Sequence, residues 1–302
     1  MKYLRSKKIS LSKVKRVSIL LNSGFSTNEL SNFYTNLNTD EIVTYFDEKY
    51  GSLSKKLRTA DYFNLIVRLD EIDSFKKDLL YKKINYPIFL LFFTFVIALF
   101  FRNIVLVQIA GTFGEIDITK YVIILNLVIY TFYILAIAIC LSLIILRNKI
   151  IKYMIFELFT SKNEFVSKYI TYQFIAIYEV LNQAGYKSVQ CFRIIKELKK
   201  QKILSTIAYQ INDCLEEGID IKNAIEMSNL NKELKEIYSI SDKTDNFQKL
   251  INDYKQVLNY DLKFLVNLYS KCFLFVSYLL ICIIAVLMYQ VLTLPMQLIN
   301  TL

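Results

Sequence analysis

Residues 17–30, Val-Ser-Ile-Leu-Leu-Asn-Ser-Gly-Phe-Ser-Thr-Asn-Glu-Leu, match residues 178–191, Tyr-Glu-Val-Leu-Asn-Gln-Ala-Gly-Tyr-Lys-Ser-Val-Gln-Cys, at an offset of 161 positions. The offset aligns Leu20 with Leu181, Ser23 with Ala184, Gly24 with Gly185 and Phe25 with Tyr186. The chain has only six glycines, so a small–Gly–aromatic step that recurs in an apolar setting indicates an internal duplication. Such a duplication favours a scaffold over a single globular enzyme.

Both copies have helical periodicity, over residues 10–83 and 155–268, with stripes such as Ile203, Ile207, Ile211 and Leu215 at i, i+4. We expect Gly24 and Gly185 to end a helix in the left-handed conformation, with the next helix starting at Ser26/Thr27 and at Ser188. Gly51 and Gly218 are expected to make a second turn in each copy. Each copy is therefore predicted to be an antiparallel helical bundle.

Three apolar stretches predict membrane spans. Eighteen uncharged residues run from Ile84 to Phe101, twenty-six from Tyr121 to Leu146, and thirty-one follow Lys271. A helix needs about 20 apolar residues to cross the hydrocarbon core. The first stretch is shorter, so we expect it to continue to about residue 108, with Arg102 reaching towards the interface.

The charges beside these stretches predict the orientation. Lysines precede the first stretch and basic residues follow the second, whereas the connection between them carries Glu115 and Asp117 against Lys120. Basic flanks stay cytoplasmic. We therefore expect a multi-pass protein of the cell membrane with a cytoplasmic N-terminus and an external C-terminus.

The predicted fold class is an all-α membrane protein with two tandem cytoplasmic helical bundles and three transmembrane helices, in the order bundle–span–span–bundle–span. The predicted divisions are a basic arm (1–16), the first bundle (17–83), the first span (84–108), an external loop (109–120), the second span (121–146), the second bundle (147–270), the third span (271–294) and an external tail (295–302).

The formal net charge of +10 is concentrated at the N-terminus, where seven basic residues come before any acid. One interpretation is a solvated arm. The other is an arm that contacts anionic lipid headgroups or an acidic partner through Lys7, Lys8, Lys13 and Lys15. The rest of the chain carries only +3 and has no basic face interleaved with aromatics, so direct nucleic-acid binding is not expected.

The sequence lacks the residues of common catalytic sites. It has no histidine, no phosphate-binding glycine-rich loop and no nucleophile elbow. Its five cysteines form no close pair, so neither a disulfide nor zinc is expected. Acidic clusters at 70–73, 216–220 and 242–245 have basic neighbours and are interpreted as solvated helix faces. We therefore expect no catalytic, metal or cofactor residues.

Two other classes remain open at this point. A subunit of a small transporter or channel is the main alternative, although the apolar stretches carry no acid, histidine or paired charge at depth. A membrane-anchored signalling adaptor is the second, although the 108–119 loop is too small for an external ligand domain.

Several short motifs, taken with the span order, resemble a known family. They are Leu20-Leu21-Asn22-Ser23-Gly24 and its copy at 180–185; Gly51-Ser52-Leu53-Ser54 and, more loosely, 218–221; Tyr86-Pro87 at the first span; Leu294-Pro295 at the end of the last; and 241–247, which contains Asp242. The motif at 241–247 has no counterpart in the first copy, because the stretch between Leu57 and Leu65 is too short to contain it. The chain resembles the inner-membrane platform proteins of type II secretion and type IV pilus machines, most closely the shorter form from competence pseudopili of Gram-positive bacteria.

The resemblance implies two homologous cytoplasmic six-helix bundles, three spans and a protein that catalyses nothing. It further implies a cytoplasmic assembly ATPase that meets the bundles, pilin-like subunits that meet the spans, and self-association. We add the expectation that the N-terminal lysines or Asp242 contact the ATPase. In a competence system the resulting pseudopilus would serve DNA uptake.

Overall fold

The computed structural model describes residues 11–27, 29–30, 39–112, 119–147, 163–240 and 247–299. Every regular element in these ranges is a helix, and none is a strand. The prediction of an all-α chain is therefore confirmed.

Eleven helices have defined bounds in the described ranges. They are α1 (Leu11–Asn22), α2 (Thr39–Tyr50), α3 (Thr59–Phe100), α4 (Leu106–Thr112), α5 (Thr119–Arg147), α6 (Glu164–Gln183), α7 (Ser188–Lys196), α8 (Lys202–Glu216), α9 (Ile221–Met227), α10 (Lys232–Ser239) and α11 (Phe247–Ile299). A π-helical turn, Phe101–Val105, joins α3 to α4.

The chain divides into two compact units, and unit 1 takes residues from Met1–Lys76 and Ile155–Lys263. Its apolar core draws on both halves of the chain: Tyr50, Tyr62 and Phe63 from the first half are buried in the same cluster as Phe174 and Phe192 from the second. The two segments that the sequence treats as separate bundles therefore share one hydrophobic core.

The four glycines expected at turns all have positive φ: 94° at Gly24, 116° at Gly51, 86° at Gly185 and 83° at Gly218. This confirms the left-handed turns, which a glycine adopts without the steric cost of a Cβ. The predicted helix start at Ser188 is also confirmed. Ser26 begins a capping box, because its N–H donates to the Glu29 carboxylate (2.7 Å) while the Glu29 N–H donates to its hydroxyl (3.3 Å).

Gly51 also lies where the first half of the chain contacts the α7–α8 connection. The neighbouring Tyr50 carbonyl accepts a hydrogen bond from the Lys199 N–H (2.8 Å). A Cβ built on Gly51 would lie 2.6 Å from the Glu197 carbonyl oxygen, whereas one built on Gly24 would meet nothing within 4 Å. Gly51 is thus required both by its backbone conformation and by the approach of the α7–α8 connection.

Unit 2 takes residues from Lys77–Met154 and Phe264–Leu302 and has its own apolar cluster, which includes Phe101, Leu125, Ile129 and Leu287. Two helical stretches, Asn85–Thr112 and Phe247–Thr293, are long and apolar enough to cross a membrane by length and composition. Only 22% and 17% of their most apolar windows are buried, whereas a core helix of a soluble protein is mostly buried. These two helices suggest association with a membrane.

The remaining predicted span, 121–146, lies within α5. In the described part of α5 the apolar stretch runs from Thr119 to Ile134, which is shorter than the two candidate spans. Both prolines of the motifs lie inside helices. Pro87 is in α3, which begins at Thr59, and α11 continues past Pro295 to Ile299. A proline removes one N–H donor and need not end a helix when the other turns remain bonded.

Replacing Gly51 with alanine should lower the free energy of unfolding by about 3 kcal/mol or more, because left-handed strain adds to a collision with the Glu197 carbonyl. Gly24→Ala is the matched control and should cost about 1–2 kcal/mol, from backbone strain alone. Denaturant unfolding of the detergent-solubilised chain, followed by circular dichroism at 222 nm, measures both. Equal losses would mean that the close approach at Gly51 does not contribute.

Candidate functional site

The two repeated turns have the same hydrogen-bond geometry. At the first, the Gly24 N–H donates to the Leu21 carbonyl (3.1 Å) and the Phe25 N–H to the Leu20 carbonyl (3.2 Å). At the second, the Gly185 N–H donates to Asn182 (2.9 Å) and the Tyr186 N–H to Leu181 (3.2 Å). Both are Schellman motifs, and their atoms correspond under the offset of 161 positions. The repeated sequence thus forms the same turn at both places.

The second repeated turn is bound by the first half of the chain. Arg58 Nη2 donates to the Ala184 carbonyl (2.5 Å), and Arg58 Nε donates to Asp61 (2.6 Å). The Tyr186 hydroxyl donates to the same Asp61 carboxylate (3.2 Å) and accepts from the Arg58 N–H (3.3 Å). Carbonyls at a helix C-terminus lack intrahelical donors, which makes Ala184 a natural acceptor for a guanidinium.

The side chains of the first repeated turn are more exposed than those of the second. Ser23, Gly24 and Ser26 are exposed, and Phe25, which replaces Tyr186, is 41% exposed. Phenylalanine lacks the hydroxyl that joins Tyr186 to Asp61, so this turn could not make the same contact. The two copies keep one backbone geometry but present different surfaces.

Beyond Arg58, the polar face of α3 continues between α1 and α6. Asn64 Oδ1 accepts from the Ser18 hydroxyl (2.6 Å) and from Asn22 Nδ2 (2.9 Å). Arg68 lies 3.1 Å from Glu71 and 3.7 Å from Glu179 of α6. We call Arg58, Asp61, Asn64, Arg68 and Glu71 the α3 seam.

Two further lysines complete the ionic contacts of the α3 seam. Lys15 of α1 lies 3.0 Å from Glu71, and Lys255 of α11 pairs with Glu179. The Glu179 side chain is only 11% exposed and lies between two cations, Arg68 and Lys255. An open groove of about 490 Å³ runs beside the seam, and all five seam residues line it. The seam connects the repeated helices α1 and α6 through α3.

The remaining predicted contact residues are placed as follows. Lys13 is exposed, Lys15 is used in the pair with Glu71, and Lys7, Lys8 and Asp242 lie outside the described residues. Gly218 forms a third Schellman motif, in which its N–H donates to Leu215 (3.2 Å) and the Ile219 N–H to Cys214 (2.9 Å). Tyr86 is exposed in α3 and Pro87 is buried there; Pro295 lies in α11.

Carboxylates of the acidic cluster at 70–73 form ion pairs and a hydrogen bond with neighbouring side chains. Asp70 lies 3.7 Å from Lys49, and Asp73 accepts from the Tyr50 hydroxyl (3.2 Å) and pairs with Lys200. Burial and these carboxylates raise the pKa of Tyr50 above its ordinary value, so the hydroxyl stays protonated and donates. Among the described residues, no group of three or more His, Cys, Asp or Glu side chains could hold a metal ion.

One ion cluster, formed around a buried lysine, was not predicted from the sequence. Lys168, with a side chain 10% exposed, lies 2.8 Å from Glu164 and 2.7 Å from Asp261. Burial disfavours its charge, but the hydrogen bonds to Asp261 and Glu164 outweigh that penalty and raise the pKa of Lys168. The i, i+4 spacing of Glu164 and Lys168 was a readable signal, whereas Asp261, 93 positions away, was not.

We compared the chain with protein-family models, with curated proteins and with solved structures, and no match was found in any of the three.

Glu179→Gln should lower the free energy of unfolding by about 2–3 kcal/mol, because it leaves two cations without their shared, largely buried anion. Glu71→Gln removes a carboxylate whose side chain is 39% exposed and should cost less than about 1 kcal/mol. Denaturant unfolding of the detergent-solubilised chain compares the two. A larger loss for Glu71→Gln would contradict the assignment of Glu179 as the main anion between α3, α6 and α11.

Proposed function

We propose that this chain is a non-enzymatic membrane platform for assembly of a type IV pilus-like pseudopilus. In this proposal it couples a cytoplasmic ATPase to the extraction of pilin-like subunits from the membrane, in DNA uptake or protein secretion. The motifs at Leu20–Gly24, 180–185 and Tyr86–Pro87 support it by resemblance. The structural observation that carries it is that α3 is bound by both repeated helices and then continues as one helix into the first apolar stretch.

The proposed arrangement is two cytoplasmic bundles and three spans, with α5 as the second span, the N-terminus inside and the C-terminus outside. The low burial of the two apolar helices supports a lipid environment. The basic flanks support the orientation. The shared core of unit 1 adds that the two bundles act as one body.

A platform of this kind needs mechanical connection and no chemistry of its own. A displacement of α1 or α6 would act on α3 through Asn64 and Arg68, which bind those helices. Lys255 and Asp261 give α11 a similar connection, because they pair with Glu179 and Lys168 of α6. Both α3 and α11 continue into apolar stretches, so motion of the bundles would reach the proposed spans along unbroken helices.

The second half is the better candidate for contact with the ATPase. Only eight positions separate Gly51 from the start of α3 at Thr59, whereas 29 separate Gly218 from the start of α11, and α9 and α10 occupy that insertion. Met227 at the end of α9 is 70% exposed, and Ile240, which directly precedes the segment containing Asp242, is 44% exposed. Exposed apolar side chains beside polar ones are typical of protein contact surfaces.

Deletion of the gene should abolish surface pseudopili and transformation or secretion, while the pilin-like subunits stay in the membrane at normal levels. Electron microscopy, a functional assay and immunoblotting of membrane fractions measure the three quantities. Complementation with the wild-type chain is the control. Normal pseudopili in the deletion strain would contradict the proposal.

Met227→Asp together with Asp242→Lys should reduce co-purification of the ATPase at least tenfold, because the pair removes an apolar contact and reverses a charge. The arm variant Lys7→Glu, Lys8→Glu and Lys13→Glu tests the second surface, with Lys15 kept because it binds Glu71. Lys202→Glu, an exposed change at the start of α8, is the control. If both test variants co-purified with the ATPase as well as the wild-type chain does, neither surface would be its binding site.

A further inference from the structure

Pro87 lies inside α3 and creates an acceptor on that helix. In an α-helix the N–H of each residue donates to the carbonyl four residues earlier, so the donor expected for the Lys83 carbonyl is the N–H of residue 87. Proline has no N–H. The Lys83 carbonyl is thus denied its ordinary partner just before the apolar stretch that begins at Asn85.

The missing donor is replaced from α11. The Ser270 hydroxyl donates to the Lys83 carbonyl at 2.9 Å, across 187 positions of sequence. Asn267, three residues earlier on the same face of α11, accepts a hydrogen bond from the Lys83 ammonium. One residue of α3 is therefore bound twice by adjacent turns of α11, within unit 2.

Ser270 differs from three other serines and threonines in the helices of this unit. Thr94 donates to Leu90 (2.7 Å), Ser277 to Phe273 (2.7 Å) and Thr131 to Val128 (2.6 Å), each within its own helix. Such back-bonding is the usual outcome for a serine or threonine inside a helix. Ser270 has the same option towards Val266 but bonds the carbonyl that Pro87 leaves open.

We propose that the Lys83 carbonyl and the Ser270 hydroxyl form a latch between α3 and α11, and that Pro87 is there to create it. When the latch is closed, Ser270 binds Lys83 and fixes the two helices at the cytoplasmic end of the apolar stretches. When it is open, Ser270 bonds back to Val266 and water takes the Lys83 carbonyl. In the open state the Ser270 hydroxyl and the Lys83 carbonyl both keep a partner, and the Lys83 ammonium and the exposed Asn267 bond to water instead of to each other. The helices can therefore separate and rejoin without leaving a buried polar group unpaired.

With such a latch, removing the Ser270 hydroxyl should lower the stability of the protein only when residue 87 is proline. Ser270→Ala in the wild-type background should lower the melting temperature of the purified full-length protein in detergent by about 2–4 °C, because the Lys83 carbonyl loses its donor. In a Pro87→Ala background residue 87 regains its N–H and bonds Lys83, so Ser270→Ala should add less than about 1 °C. Circular dichroism at 222 nm measures all four proteins.

Two further variants separate the latch from simple packing. Ser270→Thr keeps the hydroxyl and should melt within about 1 °C of wild type, and Ser277→Ala removes a hydroxyl that bonds only its own helix and should do the same. An equal loss from Ser270→Ala in both backgrounds would overturn the latch, as would a loss from Ser270→Thr as large as that from Ser270→Ala. If Pro87→Ala misfolds, the Ser270→Thr and Ser270→Ala pair still decides. These measurements need neither an ATPase nor a filament, so they can fail while the proposed function stands.

Discussion

The arrangement of unit 1 depends on its shared apolar core, in which Tyr62 and Phe63 from the first half are buried with Phe174 and Phe192 from the second. At the edge of this core, Arg58 and Asp61 hold the second repeated turn against the first half of the chain. The guanidinium binds the exposed end of α6 at Ala184, and the left-handed Gly185 returns the chain so that Tyr186 reaches Asp61. Since α3 starts one residue after Arg58, the same contact positions α3 beside α6. Arg68 and Glu179 then meet ten residues further along the helix.

The two repeated turns share one backbone geometry, and their side chains make different contacts. The shared Schellman bonds are backbone interactions, so they tolerate any side chain beside the glycine. The two turns differ in their aromatic residue. The Tyr186 hydroxyl donates to Asp61 of the first half, whereas Phe25 has no hydroxyl. The insertion of α9 and α10 in the second half adds surface that the first half does not have. A scaffold that meets unlike partners would gain from such divergence.

Local signals were readable in the sequence, and long-range pairs were not. Gly24 and Gly185 revealed their turns because a left-handed residue and the next helix start lie within a few positions. Lys15 looked like part of a free basic arm because its partner, Glu71, is 56 positions away. Pro87 was readable as part of the first span, but the hydroxyl that replaces its missing donor comes from Ser270, which is 187 positions from Lys83. Periodicity shows which face of α3 is polar, but it does not show that α1 and α6 would cover that face.

The hydrogen bonds of three hydroxyls in unit 2 are relevant to the alternative of a transporter or channel. Thr94, Ser277 and Thr131 donate to carbonyls of their own helices and so leave little polarity for a shared path. A lateral groove of about 420 Å³ between these helices is lined mainly by carbon, including Leu91, Phe132 and Val276. An ion path needs polar or charged groups that converge on one cavity. Side chains arranged in this way favour contact with apolar groups, such as lipid chains or another hydrophobic helix, and the proposed platform would need such contacts.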